Sequence, residues 1–267
     1  MHTWHWHNWQ GLPYLTCSLL EDWHHGFFTQ QFWPRSPQEL TTVLQPEASA
    51  YRLKQVHGNT VLTPEEITSM LSAGENDGDK EGDSALVSAD GLMSEQSLQA
   101  VWVASADCTP VLIGDVKTGL VAALHAGWRG TAAKIVPQAI ARLQARGSKL
   151  DDLRIALGPA IAGEVYQVSV EVAAEIGASI IPHEESHKIV DALHELPNSP
   201  LLKDPNEGKV RLDVRRVNIL QLESLGISGE QIAIAPYCTY QTPEHFFSYR
   251  RLQEKKVQWS GIVSKKR

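Results

Sequence analysis

Cysteine is scarce in this chain. Cys17, Cys108 and Cys238 are the only three in 267 residues, far apart and in no CxxC pair. An odd, dispersed set excludes a disulfide framework and leaves each thiol to act as a ligand, a nucleophile or a small buried side chain. Positive charge is also in deficit: 24 Lys and Arg stand against 31 Asp and Glu, for a formal charge of −7. Broad binding to nucleic acid or anionic membrane needs a basic surface, so both are excluded as partners and a small-molecule substrate is expected. No apolar run is long enough to cross a bilayer, and the opening MHTWHWHNWQGLPYL has neither the basic nor the apolar region of a secretory signal. A cytoplasmic location is the expectation. No internal repeat is visible.

What is present suits an enzyme-sized globular chain. With 42% hydrophobic residues it can bury a substantial core, and we expect one domain over residues 1–267. The segment 72–84, SAGENDGDKEGDS, is dense in Asp, Glu and Gly. It reads as a solvated, flexible loop whose spacing does not fit an EF-hand. ASAYRLKQVHGNTVLT reads as two short strands broken at His57-Gly58-Asn59. LQAVWVASADC and GLVAALHAG read as apolar strands, with a hairpin turn at Asp115 to Gly119 between TPVLIGD and the second. TAAKIVPQAIARLQARG has helical periodicity, with Thr131 expected as N-cap, Gly147 as stop, and Pro137 marking either a kink or the true first turn. VEVAAEIGAS and RLDVRRVNILQLESLG read as helices, His183 to Lys209 as irregular, and QIAIAPYC, FFSYRR and KKVQWSGIV as further strands. The fold class expected from this alternation is mixed α/β, with mixed β-sheets flanked by helices.

Three residues dominate the chemistry: His57 in LKQVHGNTV, Cys108 in SADCTPVLIGD and His125 in AALHAGWRGTAAK. Each lies where an apolar strand runs out, the usual place for functional groups held by a rigid sheet. Two imidazoles and a thiolate are a workable zinc set that leaves a fourth position for water or substrate, although their spacing matches no short metal motif. Arg129, at the start of the following helix and between Gly127 and Gly130, is a candidate anion site. The plainer alternative is a glycine turn with a surface arginine. Asp107 either caps a turn, the commoner role, or orients His125 or acts in proton transfer. Cys17 and Cys238 read as buried small residues. His2, His5 and His7 alternate with Trp4 and Trp6 as on an edge strand, and His24-His25 read as part of a turn.

Six blocks carry a family likeness: HGFFT at 25–29, KQVHG at 54–58, SADCTPVLIGD at 105–115, HAGWRGTAAKIV at 125–136, LGPAIAGEVYQV at 157–168, and CT with FFSYRR between 238 and 251. In this order they resemble the laccase-domain family, formerly called multicopper polyphenol oxidases and also described as zinc-dependent purine nucleoside phosphorylases with adenosine deaminase activity. The resemblance implies α/β/α layering and a metal, zinc with copper as the other option, on the residues matching His57, Cys108 and His125. It implies phosphorolysis of adenosine, inosine, guanosine and methylthioadenosine, hydrolytic loss of the adenosine amino group, and purine nucleosides and phosphate as partners. Cys108, His125 and Arg129 are then the catalytic candidates. Arg129 with Arg250 or Arg251 is expected to meet phosphate, and Phe247, with Phe246 and Tyr249 as rivals, to stack on the base.

The chain departs from the family pattern after HGFFT, where Gln30 to Arg35 replace an Arg with paired glycines, and after FFSYRR, where a Gly-Arg pair is missing. The HxE and PCxxC signature of cytidine deaminases is absent. Three other readings stay open at this level. One is a metal-free Cys108/His125 hydrolase, on a fold that resembles that of a toxin deamidase with a Cys-His pair. The second is a copper phenol oxidase, which needs many more histidines in paired motifs than these positions supply. The third is a non-enzymatic or peptidoglycan-editing role.

Overall fold

A computed structural model describes residues 2–73, 86–182 and 185–265. The acidic segment therefore lies outside the described residues except for Ser72 and Ala73, which end the helix Pro64–Ser72. Three sheets organise the chain. The first runs Trp4–Trp9, Leu12–Cys17, His25–Phe28, Gln258–Val263, Gln99–Ser105 and Ser49–Tyr51. The second runs Ile232–Ile234, Leu153–Leu157, Thr109–Asp115, Val121–Ala126, Gly91–Met93 and Val61–Leu62. A small third sheet orders Gln167–Ser169, Lys209–Leu212 and Leu201–Lys203.

The all-apolar strands are buried on both faces, and their alternation assigns each residue to a core. Leu112 lies opposite Ala123 and Ala156 and faces the first sheet, where Val101, Val103 and Ile262 meet it. Its neighbours Val111 and Ile113 face the other way, into a core with Ile140 and Leu143 of the helix Ile135–Ala145 and Leu222 of the helix Val214–Ser224. Trp102, one step from Val101, turns outward against Leu40 of the helix Pro37–Leu44 and donates its indole N–H to Thr41 Oγ1 at 2.9 Å. Gly261 lies opposite Trp102, and a Cβ there would stand 2.4 Å from the indole. Helices thus cover the outer faces, and the layer between them is two sheets thick. The third sheet packs with the helices Val170–Gly177 and Ser186–Glu195 in a separate cluster.

Several local expectations are corrected. The stretch read as irregular contains the helix Ser186–Glu195, where Ile189, Val190 and Leu193 form a narrow apolar stripe among polar residues, and the strand Leu201–Lys203, and it ends where the strand Lys209–Leu212 begins. Thr131 is not an N-cap. The short helix Trp128–Ala132 is capped by Gly127, and the next begins after Lys134, whose φ of 61° breaks the two apart. Pro137 falls in the first turn of that second helix, where its missing N–H costs nothing. FFSYRR is not a strand: Tyr249–Leu252 form a single helical turn capped by Ser248. The turn at Asp115 does form, with its carboxylate accepting the Lys117 and Thr118 N–H groups.

His25 is buried, donating Nδ1–H to the Trp23 carbonyl and accepting the Cys17 N–H at Nε2, each at 2.9 Å. Burial first, against the Trp23 bond, lowers its pKa to about 4. The neutral ring is therefore favoured by the fold. Full stability is present above about pH 6.5, the unfolded value, and falls progressively as pH drops toward 4, by up to about 3 kcal/mol. Denaturant unfolding across pH 4–8 should show this loss in the native chain and a shallower slope in His25→Gln; equal slopes would remove His25 as its source.

Candidate metal centre

Cys108 ends a three-residue crossing, Ala106 to Cys108, that carries the chain from the strand Gln99–Ser105 in the first sheet to Thr109–Asp115 in the second. Asp107 makes the corner with φ of 94°. Its carboxylate accepts the Thr239 hydroxyl and the Arg250 N–H, both at 2.7 Å, so it ties the C-terminal segment to the crossing. That is the structural role, and His125 is not its partner. His125 lies on the neighbouring strand opposite Pro110 and is 4% exposed. His57 sits in the loop after Ser49–Tyr51 with φ of 63°. The three come together: one ligand atom from each of His57, Cys108 and His125 lies within 4.8 Å of the others. Among the described residues no other group of three His, Cys, Asp or Glu is so placed. From His125 inward to His57 outward, the set grades from buried to exposed.

Without a metal, the charges favour a Cys108 thiolate beside a protonated His125, and a bound cation would displace the Nε2 proton. Burial alone would raise the Cys108 thiol, but the charge of His125 and hydrogen bonds from both imidazoles bring it down to about 6. Burial would likewise depress His125, yet the Cys108 charge and the Asp90 bond hold it up at about 9. A thiolate and two imidazoles are the donor set a zinc or copper ion accepts. Gly127 makes room for it, since a Cβ there would stand 2.7 Å from Cys108 Sγ and 3.6 Å from the His57 ring. Asp90, fully buried, accepts the His125 Nδ1–H at 2.8 Å. Nothing in the sequence pattern singled it out, because its partners come from remote segments.

The other candidates divide. Arg129 is exposed, with its guanidinium 4.4 Å from the Trp128 ring centre. Arg250 is exposed, lies 4.8 Å over the Tyr166 ring and donates to the Gln167 carbonyl. Arg251 is withdrawn, because its guanidinium is spent on the carbonyls of Thr239, Tyr240 and Phe246. Phe246 is buried at 1% and presents no free face, whereas Phe247 is half-buried, edge-on to exposed Trp33 at 6.0 Å, and Tyr249 is exposed. Tyr166, unnoticed in the sequence, carries the Arg250 guanidinium over its ring, and burial, then the Cys108 charge, pushes its phenol up to about 12. Cys17 and Cys238 are buried as expected, and the Cys238 sulfur accepts the Ala162 N–H. A cavity of about 350 Å³ bordered by His5, His7, Glu21 and His24 shares no residue with the triad. No helix among the described residues is long and apolar enough to cross a membrane.

Residues 35–264 match the family model described as multi-copper polyphenol oxidoreductase laccase. The chain belongs to this family. It is 54% identical over 266 residues, covering 98% of this chain and 97% of the relative, to a Synechocystis protein named purine nucleoside phosphorylase. A protein of an unknown prokaryotic organism named adenosine deaminase RL5 is 30% identical over 172 residues, 64% of this chain and 60% of that protein. The solved structure of YlmD from Geobacillus stearothermophilus superposes with a TM-score of 0.74 at 23% identity over 98% of this chain and 99% of that one, and the likeness speaks for the fold.

The close approach at Gly127 gives a direct test of the centre. Gly127→Ala should weaken zinc binding about tenfold or more in a chelator competition, while Gly229→Ala, whose Cβ would meet nothing within 4 Å, should leave it unchanged.

Proposed function

We propose that the protein is a zinc-dependent purine nucleoside phosphorylase acting on adenosine, inosine, guanosine and methylthioadenosine, with adenosine deaminase activity, and that it works in the cytoplasm. The observation that carries the reading is the convergence of His57, Cys108 and His125, with Arg129 in the short helix that follows the His125 strand and Arg250 tied through its backbone N–H to Asp107 beside Cys108. The names of the relatives support it. A chain with net charge −7 must gather phosphate locally. Arg129, backed by Trp128, and Arg250, backed by Tyr166, supply the fixed cations. With Arg129 holding phosphate, one of its oxygens attacks the ribose anomeric carbon as the glycosidic C–N bond breaks and the purine leaves with the bonding pair. Phe247 contributes an aromatic edge to base binding. Cys108 and His125, with His57, would hold the metal, zinc with copper as the other option. When bound, it supplies Lewis acidity toward substrate and activation of water for deamination.

Phosphate-dependent release of free base from adenosine should fall about 10- to 100-fold in Arg129→Ala, the worth of a charge-assisted contact, with zinc content unchanged. Normal turnover in that variant removes Arg129 from the phosphate site. A second reading, a metal-free Cys108/His125 hydrolase, draws on the depressed thiol beside an imidazole. Iodoacetamide separates the two: a zinc thiolate is protected until chelator is added, whereas a free nucleophile is trapped at once with loss of activity.

A further inference from the structure

We propose that Asp90 is the positioning residue of the metal centre, a single buried carboxylate that fixes both the tautomer of His125 and the placement of His57. The inference rests on the reading of the triad as a metal site. His125 and His57 reach that site from different parts of the fold, one on a strand in the middle of the second sheet and the other on a loop between sheets. The Lys54–Ser88 bridge and the Val61–Gly91 pair bring the two ends of that loop to the second sheet, but they do not place His57 within it.

Asp90 supplies the missing link with both oxygens. Oδ1 accepts the His125 Nδ1–H at 2.8 Å and the His57 backbone N–H at 2.9 Å. Oδ2 accepts the backbone N–H groups of Gly58 at 2.7 Å and Val56 at 3.1 Å. Its carbonyl oxygen accepts the His125 backbone N–H at 2.8 Å, and its own N–H is donated to the Thr60 carbonyl at 3.1 Å. Three consecutive loop N–H groups therefore converge on one anion, which holds His57 in its left-handed backbone conformation. With Nδ1 carrying the proton, His125 keeps the Nε2 lone pair for a cation.

Only a carboxylate does both jobs, because four donors face the group and an ionised carboxyl accepts at every position. In Asp90→Asn, the amide has one oxygen. If that oxygen stays with the loop, the NH2 group donates to His125 Nδ1 and moves the imidazole proton to Nε2, removing the lone pair a metal needs. If it stays with His125, the NH2 group opposes the Gly58 and Val56 N–H groups and the loop carrying His57 is pushed away. Either outcome costs one ligand although the substitution is nearly isosteric.

The test is zinc affinity of the full chain by chelator competition, with far-UV circular dichroism and thermal unfolding of the zinc-free proteins as a check on folding. Asp90→Asn should bind zinc about 10- to 100-fold more weakly than the native protein, with Asp90→Ala at least as impaired. The cobalt-substituted variant should lose intensity in the visible bands of a tetrahedral site. Long-range proton–nitrogen correlation on zinc-loaded native protein with labelled histidine, which needs no variant to fold, should show His125 protonated at Nδ1. Native-like zinc affinity in Asp90→Asn, or coordination of His125 through Nδ1, overturns this inference alone. Failure of the native protein to bind zinc overturns the metal reading and this inference with it.

Discussion

The whole site depends on the corner between the two stacked sheets. Gln99–Ser105 and Thr109–Asp115 belong to different sheets yet are joined by only Ala106, Asp107 and Cys108. Both strands are buried on two faces, so neither can slide without moving its side chains from one core into another. Cys108 is fixed at the rim by that constraint, and His125 comes with it through the hairpin that pairs Pro110 with His125. Asp107, with its left-handed backbone, closes the turn and anchors Thr239 and Arg250, which brings the C-terminal segment over the same rim. His57 is the one triad member on a loop, whose two ends are paired to the second sheet at Lys54 and Val61.

Two layers of charge surround this corner. Underneath, Asp90 and Asp107 are buried carboxylates whose oxygens are taken up by backbone and side-chain donors. Burial would raise the Asp90 carboxyl, but the bonds from His125 and the Gly58 N–H hold it below its ordinary value. Above, Arg129 and Arg250 are exposed and each rests on an aromatic ring. The anions thus organise protein, and the cations are left facing solvent. An acidic chain can in this way present a locally positive site.

Much of this was legible because it is written in local pattern. Apolar runs announced the central strands, and the residues at their ends, Cys108 and His125, were found by the same signal. The hairpin at Asp115 and the break at His57-Gly58 follow from turn chemistry. What escaped were features decided at long range. Asp90 matters only through partners more than thirty residues away, Tyr166 only through Arg250 above it, and Arg251 became structural because three carbonyls happen to surround it. The helix Ser186–Glu195 was missed because its apolar stripe is narrow and its other faces are polar.

The order of strands in the first sheet also governs how the molecule can be assembled. Gln258–Val263 lies between His25–Phe28 and Gln99–Ser105, so a strand more than 150 residues downstream separates two made much earlier. During synthesis the early strands wait without their shared neighbour, and Phe27, Val101 and Val103 lack the Ile262 that joins them in the core. Pairing over such a sequence distance is entropically late and slow. Until residues 258–263 emerge, the growing polypeptide has an open seam beside the strand that leads into the corner holding Cys108.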